Sequence, residues 1–200
     1  MTFLLSEDEA LRKQIQGITV HDQRATGDDV PRQVGVFFGQ PDQELRAQVY
    51  PYITINMIDI LRDAEREMRG RITGTVEQFG YLGPTETSDL GWDIDLPIPV
   101  NIDYQITTFS RHPRHDRELL SQLLHHKLPL RFGQLTLDDN TVRRLEVLDV
   151  AKRDSVEQAK RLFINAVTVR VTSEIVQEAY REYYKVQEVD ILTPEITNNH

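Results

Sequence analysis

The sequence predicts an α/β (α+β) chain, and three observations carry that prediction. Ile98, Val100, Ile102, Tyr104 and Ile106 alternate with Pro99, Asn101, Asp103, Gln105 and Thr107, the period of a strand with one buried face. Leu119, Leu120, Leu123 and Leu124 then recur at i, i+1, i+4 and i+5, the stripe of an amphipathic helix. Other runs, YPYITINMIDI at 50–60 and RLFINAVTVRVT at 161–172 among them, read as further strands around that pair.

Taken in order, residues 6–16 predict a short helix. Ser6 and Glu9 have the spacing of a capping box, Leu11 and Ile15 share a face, and Gly17 suits the stop position. The polar segment 19–32, punctuated by Gly27 and Pro31, reads as a loop, and VGVFFG at 34–39 as a short strand closed by Gly39 and Pro41. After the strand at 50–60, the dense mixed charge of 61–69 suggests a short helix or loop ended by Gly70, with another strand over 71–79. GYLGPTETSDLGWDIDLP at 80–97 reads as a long surface loop. Pro113 suits the first position of the leucine-striped helix, which Leu128-Pro129 ends. Strands follow near 130–137, 143–150 and 161–172; the last switches apolar phase between Ile164 and Val167, which suggests a bulge or bend. Ile175, Val176, Ala179, Tyr180 and Tyr183 fall at helical spacing, before a loose tail.

Composition narrows the function classes. Two hundred residues at 39% apolar can bury a core as one large domain, or one domain with an arm. The net charge of −9, from 32 acidic and 23 basic residues, argues against a nucleic-acid-coating protein, because phosphate binding needs basic groups to displace counterions. With no cysteine, disulfides, thiolate metal sites and cysteine nucleophiles are excluded. The start MTFLLSEDEALRK turns acidic after five residues, unlike a signal peptide, and no apolar run approaches a membrane span, so a soluble intracellular product is expected.

Three groups of residues are candidates for a site. His112 and His115 are three apart across Pro113, and His125 and His126 are adjacent, so neither pair shares the i, i+4 face of a helical metal site. Asp89, Asp93 and Asp95 lie in the long loop, and Asp59, Asp63 and Glu67 recur every four residues, but no calcium-loop pattern frames them. Both groups read best as solvated charge. No phosphate-binding glycine loop, dinucleotide fingerprint or serine nucleophile elbow occurs in the sequence. The third group is the C-terminal tract. Residues 171–200 hold six acids against Arg181 and Lys185, and cluster Tyr180, Tyr183 and Tyr184. Such a mixture suits either a partner interface or a last helix packed on its own sheet.

The order of elements carries a resemblance. A capped helix, the strand YITINMIDI, a long loop, the strand–turn–helix PIPVNIDYQITTFSRHPRHDRELLSQLLHHKLP, then RFGQLTL, RRLEVLDVAK and RLFINAVTVRVTSEI follow one another. This resembles the tail terminator (tail completion, or neck) proteins of tailed bacteriophages and the related caps of contractile injection systems, over roughly residues 5–175. The resemblance implies a single domain, residues 1–173, with a mixed, largely antiparallel sheet flanked by helices, and a C-terminal arm over 174–200. It implies a virion structural protein: a hexameric ring that caps the tail tube, ends its polymerisation and joins tail to head connector. In contractile tails the ring also holds the sheath. DNA would pass through the lumen without specific binding. No catalytic residue, cofactor, metal or membrane contact is implied. The location would be the virion tail, and the host cytoplasm during assembly. Ring contacts need two different faces, and Arg143, Arg144, Lys152 and Arg153 against Glu178, Tyr180, Tyr183 and Tyr184 are the expected pair. The competing readings are another virion joint, at head closure or baseplate, and a small metal-dependent hydrolase using the four histidines with loop carboxylates.

Overall fold

A computed structural model describes residues 4–23, 29–39, 50–75, 90–157, 160–176 and 180–184. It contains helix α1 (Leu5–Ile15), the strands β1 (Thr19–Gln23), β2 (Asp29–Gln33), β3 (Gly35–Phe38), β4 (Tyr52–Arg62), β5 (Arg71–Thr75), β6 (Leu90–Asp95) and β7 (Ile98–Ser110), and helix α2 (Pro113–Gln122). Helix α2 runs into one π-helical turn, Leu123–Lys127, and is followed by β8 (Gly133–Thr136), β9 (Val142–Lys152), β10 (Ser155–Glu157), β11 (Lys160–Ile175) and β12 (Tyr180–Tyr184). The fold class is α+β, with a mixed sheet and flanking helices. The chain divides into two compact units, residues 1–67 with 99–175, and residues 68–98 with 176–200.

The first unit is built on the sheet β3-β4-β7-β11-β9-β8, with β10 paired to β11. β3 and β4 run parallel, whereas β4–β7, β11–β9 and β8–β9 are antiparallel. The alternation read in the sequence becomes the core face of β7: Val100, Ile102, Tyr104 and Ile106 are buried with Ile53 and Ile55 of β4 and Val167, Val169 and Val171 of β11. Both helices supply the same core, α1 through Ala10, Leu11 and Ile15, and α2 through Leu119. Leu123, in the π-helical turn, joins them, fully buried. A fully buried leucine of this kind stabilises by about 1.5–3 kcal/mol. Polar bonds at the edge of the core fix α1 in register. Ser173 donates to the buried Glu7, and the Tyr104 hydroxyl donates to Asp8 at 2.7 Å. The opposite face of the sheet has a smaller aromatic cluster, in which Tyr52 and Phe109 stack at 4.8 Å with Leu162, Phe37, Tyr50 and Ile164 around them. In the second unit, β6 lies between β5 and β12, antiparallel to both.

Several local expectations are corrected. α1 starts at Leu5, and the carboxylate that reaches back to the N-cap amide is Glu7, 3.0 Å from the Leu4 N–H; Glu9 pairs with Lys13 instead. The predicted loop 19–32 contains the hairpin β1–β2, with Pro31 opposite His21. A two-stranded ribbon has open edges on both sides, so a proline without an N–H is tolerated there. The charged stretch after Ile60 continues β4 to Arg62 and then turns. The predicted loop 80–97 contains β6; its first ten residues lie outside the described ones, as do 76–79 of the predicted strand 71–79. The phase switch in β11 is no bulge: pairing with β9 is continuous from Asn165 to Thr168. Leu162 and Ile164 serve the aromatic cluster and Val167 the main core, so the strand changes face by serving two cores. The actual register shift falls between Thr168 and Val169. Tyr180–Tyr184 forms a strand where helical spacing was read.

Candidate assembly interface

The histidines resolve first, because helix α2 uses them for its own attachment. His112 is its N-cap, with Nδ1 accepting from the Arg114 N–H at 3.3 Å, and Pro113 fills the first turn. His115, Glu118 and Gln122 lie on one stripe of α2, at i, i+3 and i+7, and all three meet β1. His115 Nε2 lies 3.3 Å from the His21 carbonyl and 3.1 Å from Asp22; Glu118 accepts from the His21 N–H at 3.0 Å; Gln122 donates to the Thr19 carbonyl at 2.6 Å. Only 14% of the His115 side chain is exposed. His125 and His126 meet edge to face, with ring centroids 4.6 Å apart. Among the described residues no three His, Asp or Glu side chains form a metal-sized group.

The candidate carboxylates are likewise engaged locally. Asp63 accepts from the Arg66 side chain at 2.6 Å, from two backbone amides and from Asn101, and the Arg66 guanidinium first among these holds its pKa down to about 2. Glu67 pairs with Arg62, Asp59 accepts from the Ile60 amide, and Asp95 pairs with Arg71 at 2.7 Å. Asp89 lies outside the described residues.

The basic residues expected at an interface fall at opposite ends of one strand. Arg143 and Arg144 open β9, whereas Lys152 closes it and Arg153 follows it. At about 3.3 Å per residue the two pairs stand roughly 30 Å apart. At the far end, Lys152 reaches the buried Asp116 at 2.9 Å, and Arg161 lies over the Phe163 ring at 4.9 Å. Asp116 also accepts from Asn165 Nδ2 at 2.6 Å, which pins the start of α2 to β11.

At the near end, the β8–β9 hairpin forms a groove of about 370 Å³ lined by Phe132, Gly133, Gln134, Val142, Arg143 and Arg144. The hairpin is tight because its turn is closed twice over. Asn140 takes a left-handed conformation (φ +63°), and Asp139 accepts from both the amide and the hydroxyl of Thr141, at 2.9 and 2.6 Å. Those two bonds hold the Asp139 pKa below its ordinary value. Lys13 of α1 ties the same turn through Asp138 at 2.8 Å. Arg143 lies 3.4 Å from Glu174, and its Nε is buried without a hydrogen-bond partner among the described residues. Arg144 is exposed, 3.4 Å from Glu146. Phe132 is 94% exposed and has φ +56°, a conformation that bulky side chains seldom adopt. Leu130 and Val142 are also exposed beside it in sequence and hairpin, and Arg131 adds a third cation. The sequence reading missed Phe132; its signal was an aromatic residue between Arg131 and a strand-opening glycine.

Tyr180, Tyr183 and Tyr184 lie on β12, opposite Ile94, Gly91 and Leu90 of β6. Glu178 lies outside the described residues.

No protein-family model matches the chain, and no curated protein matches its sequence. Among solved structures, the chain is similar to the sheath/tube terminator of an extracellular contractile injection system, PVC, in its extended state. The TM-score is 0.49 at 14% identity, over 100% of this chain and 66% of that one.

Proposed function

We propose that the chain is a structural terminator of a tail-like tube. In this reading six copies form a ring on the last ring of the tube and stop its growth. The opposite face of the ring receives a head connector in a phage, and in a contractile particle the ring also holds the end of the sheath. The observation that supports this reading is the strand–turn–helix Ile98–Lys127. Its buried alternation, its proline at the first helical position and its leucine stripe fold as the resemblance requires, within a mixed sheet in the expected element order. The net charge of −9 suits a ring whose lumen lets DNA pass without binding it. The reading gives Arg143 and Arg144 to one contact face and Glu178, Tyr180, Tyr183 and Tyr184 to another, while Arg153, at the far end of β9, would serve a separate contact. The stretch from residue 174 onward then serves as an arm that reaches a neighbouring copy or the sheath.

Electron cryomicroscopy of particles from cells producing the chain tests this directly. A sixfold ring of this chain at one end of the tube is expected, with tubes of uneven length when its gene is deleted. Normal tube length in the deletion, or particles that lack the chain, would overturn the reading.

A further inference from the structure

We infer that Lys152, Asp116 and Asn165 form a self-processing site that joins Lys152 to Asn165 through an amide bond and releases ammonia. The site lies wholly within the first unit and does not depend on the terminator reading.

The arrangement follows from register. Asn165 of β11 and Lys152 of β9 stand directly opposite one another in the antiparallel ladder, so their side chains leave the same face of the sheet. Asp116, in the first turn of α2, bridges them: its Oδ2 lies 2.9 Å from Lys152 Nζ, and its Oδ1 accepts from Asn165 Nδ2 at 2.6 Å. One carboxylate thus touches both an amine and the nitrogen of a carboxamide. Thr108 Oγ1 holds the same Nδ2 from a second side, at 3.2 Å. Asn165, Thr108 and Asp116 are all buried, so the fold rather than solvent sets their positions. Lys152 enters from the rim, its side chain half exposed and its Nζ 5.5 Å from the centroid of the Phe163 ring.

Each group suits one step of an amide exchange. An uncharged lysine amine is a nucleophile, and Asp116 is the base within hydrogen-bond reach of its proton. Asp116 takes one proton from Nζ, and the freed lone pair attacks Asn165 Cγ. Asp116 returns that proton to Nδ2, the Cγ–Nδ2 bond breaks, and ammonia leaves. The second surplus proton on Nζ passes through Asp116 to the ammonia, which departs as ammonium. One C–N bond replaces another, so no oxidant, reductant or activated co-reactant is needed. Asn165 rather than Asp116 is the electrophile, because an ionised carboxylate resists attack while the leaving nitrogen of the amide already faces the acid. The other charged groups at this corner are Asp154, 3.9 Å from Nζ, and Arg161, which pairs with Asp154 at 3.0 Å. Asp154 competes for the ammonium, so linking is slow and alkaline incubation favours it.

The structure holds the unlinked form, which alone keeps the Lys152 ammonium and the Asn165 carboxamide. In a chain without cysteine, the amide is a cross-link between neighbouring strands that requires no oxidation.

Intact-mass spectrometry of the full chain, fresh and after prolonged incubation at mildly alkaline pH, tests this. A species lighter by one ammonia is expected, in which proteolysis leaves the peptides carrying Lys152 and Asn165 joined. Lys152→Arg keeps the ion pair but cannot link, and should stay at full mass. Asp116→Asn should slow linking at least about 100-fold, the ordinary contribution of a general acid–base group, and Asp116→Glu should restore part of the rate. Circular dichroism checks the folding of each variant, and Lys152→Arg, at a half-exposed position, carries the test if the Asp116 variants do not fold. Four results would each overturn the inference: a wild-type chain that keeps full mass, a loss of water that joins Lys152 to Asp116, an ammonia loss that persists in Lys152→Arg, or folded Asp116→Asn that links at the wild-type rate.

Discussion

Replacing Asp116 by alanine should cost about 3 kcal/mol, and the size of that loss depends on which of its partners matters. The Asp116 residue is 4% exposed. It accepts from Asn165 Nδ2 at 2.6 Å and from Lys152 Nζ at 2.9 Å. Asn165 is 1% exposed, and Thr108 Oγ1 at 3.2 Å is the other acceptor of its amide. A hydrogen bond to a charged group contributes about 1.5–3 kcal/mol, and stranding a buried donor costs about 1–3 kcal/mol more. Lys152 is 54% exposed and exchanges its partner for water, so its ion pair is worth at most about 1 kcal/mol. The buried amide bond therefore outweighs the visible salt bridge. For a chain of this size 1 kcal/mol moves Tm by about 2–4 °C. Thermal melts should show a loss of roughly 6–12 °C for Asp116→Ala and less than about 4 °C for Lys152→Met. Asp116→Asn, which keeps an acceptor for Asn165, should fall between them. Equal losses for Asp116→Ala and Lys152→Met would refute the reasoning, as would a double Asp116→Ala/Asn165→Ala variant whose loss is the plain sum of the singles.

Two further predictions concern the ends of the core. Burial raises the pKa of Asp8 above its ordinary value, and the bond from Tyr104 only partly offsets this. The folded state thus favours protonated Asp8, so this contribution is full below the unfolded pKa and is lost as pH rises through the folded one. Asp8→Asn should raise Tm at pH 7 and raise it less at pH 3.5; an equal gain at both would show that charge is not the cause. At the hairpin, a Cβ on Gly133 would sit 2.5 Å from the backbone oxygen of Leu145, which has no freedom to rotate away. Gly133→Ala should cost about 1–3 kcal/mol by forcing β8 from β9, read by urea unfolding. A neutral result would mean that the hairpin is more yielding than its register suggests.

The elements legible in the sequence are those whose signal is local. β7 was readable from Ile98 to Ile106 because one face meets the core and the other does not, so period two appears in the residues themselves. α2 was readable because Leu119 and Leu123 must recur on one side. β12 was not: its pairing partner β6 lies some ninety residues away, and Ile175, Val176, Ala179, Tyr180 and Tyr183 fit a helix by spacing alone. β1 was hidden because only Val20 of it enters the core, while its other attachments are hydrogen bonds from His115, Glu118 and Gln122 of α2, which leave no apolar pattern; β2 is held by pairing with β1. The candidate interface was half legible. The arginine pair at 143–144 stood out by charge, but its separation from Lys152 and Arg153 required knowing that residues 142–152 are one extended strand. Phe132 was invisible for a different reason: exposure and a positive φ are properties of a backbone path, and neither leaves a periodic trace.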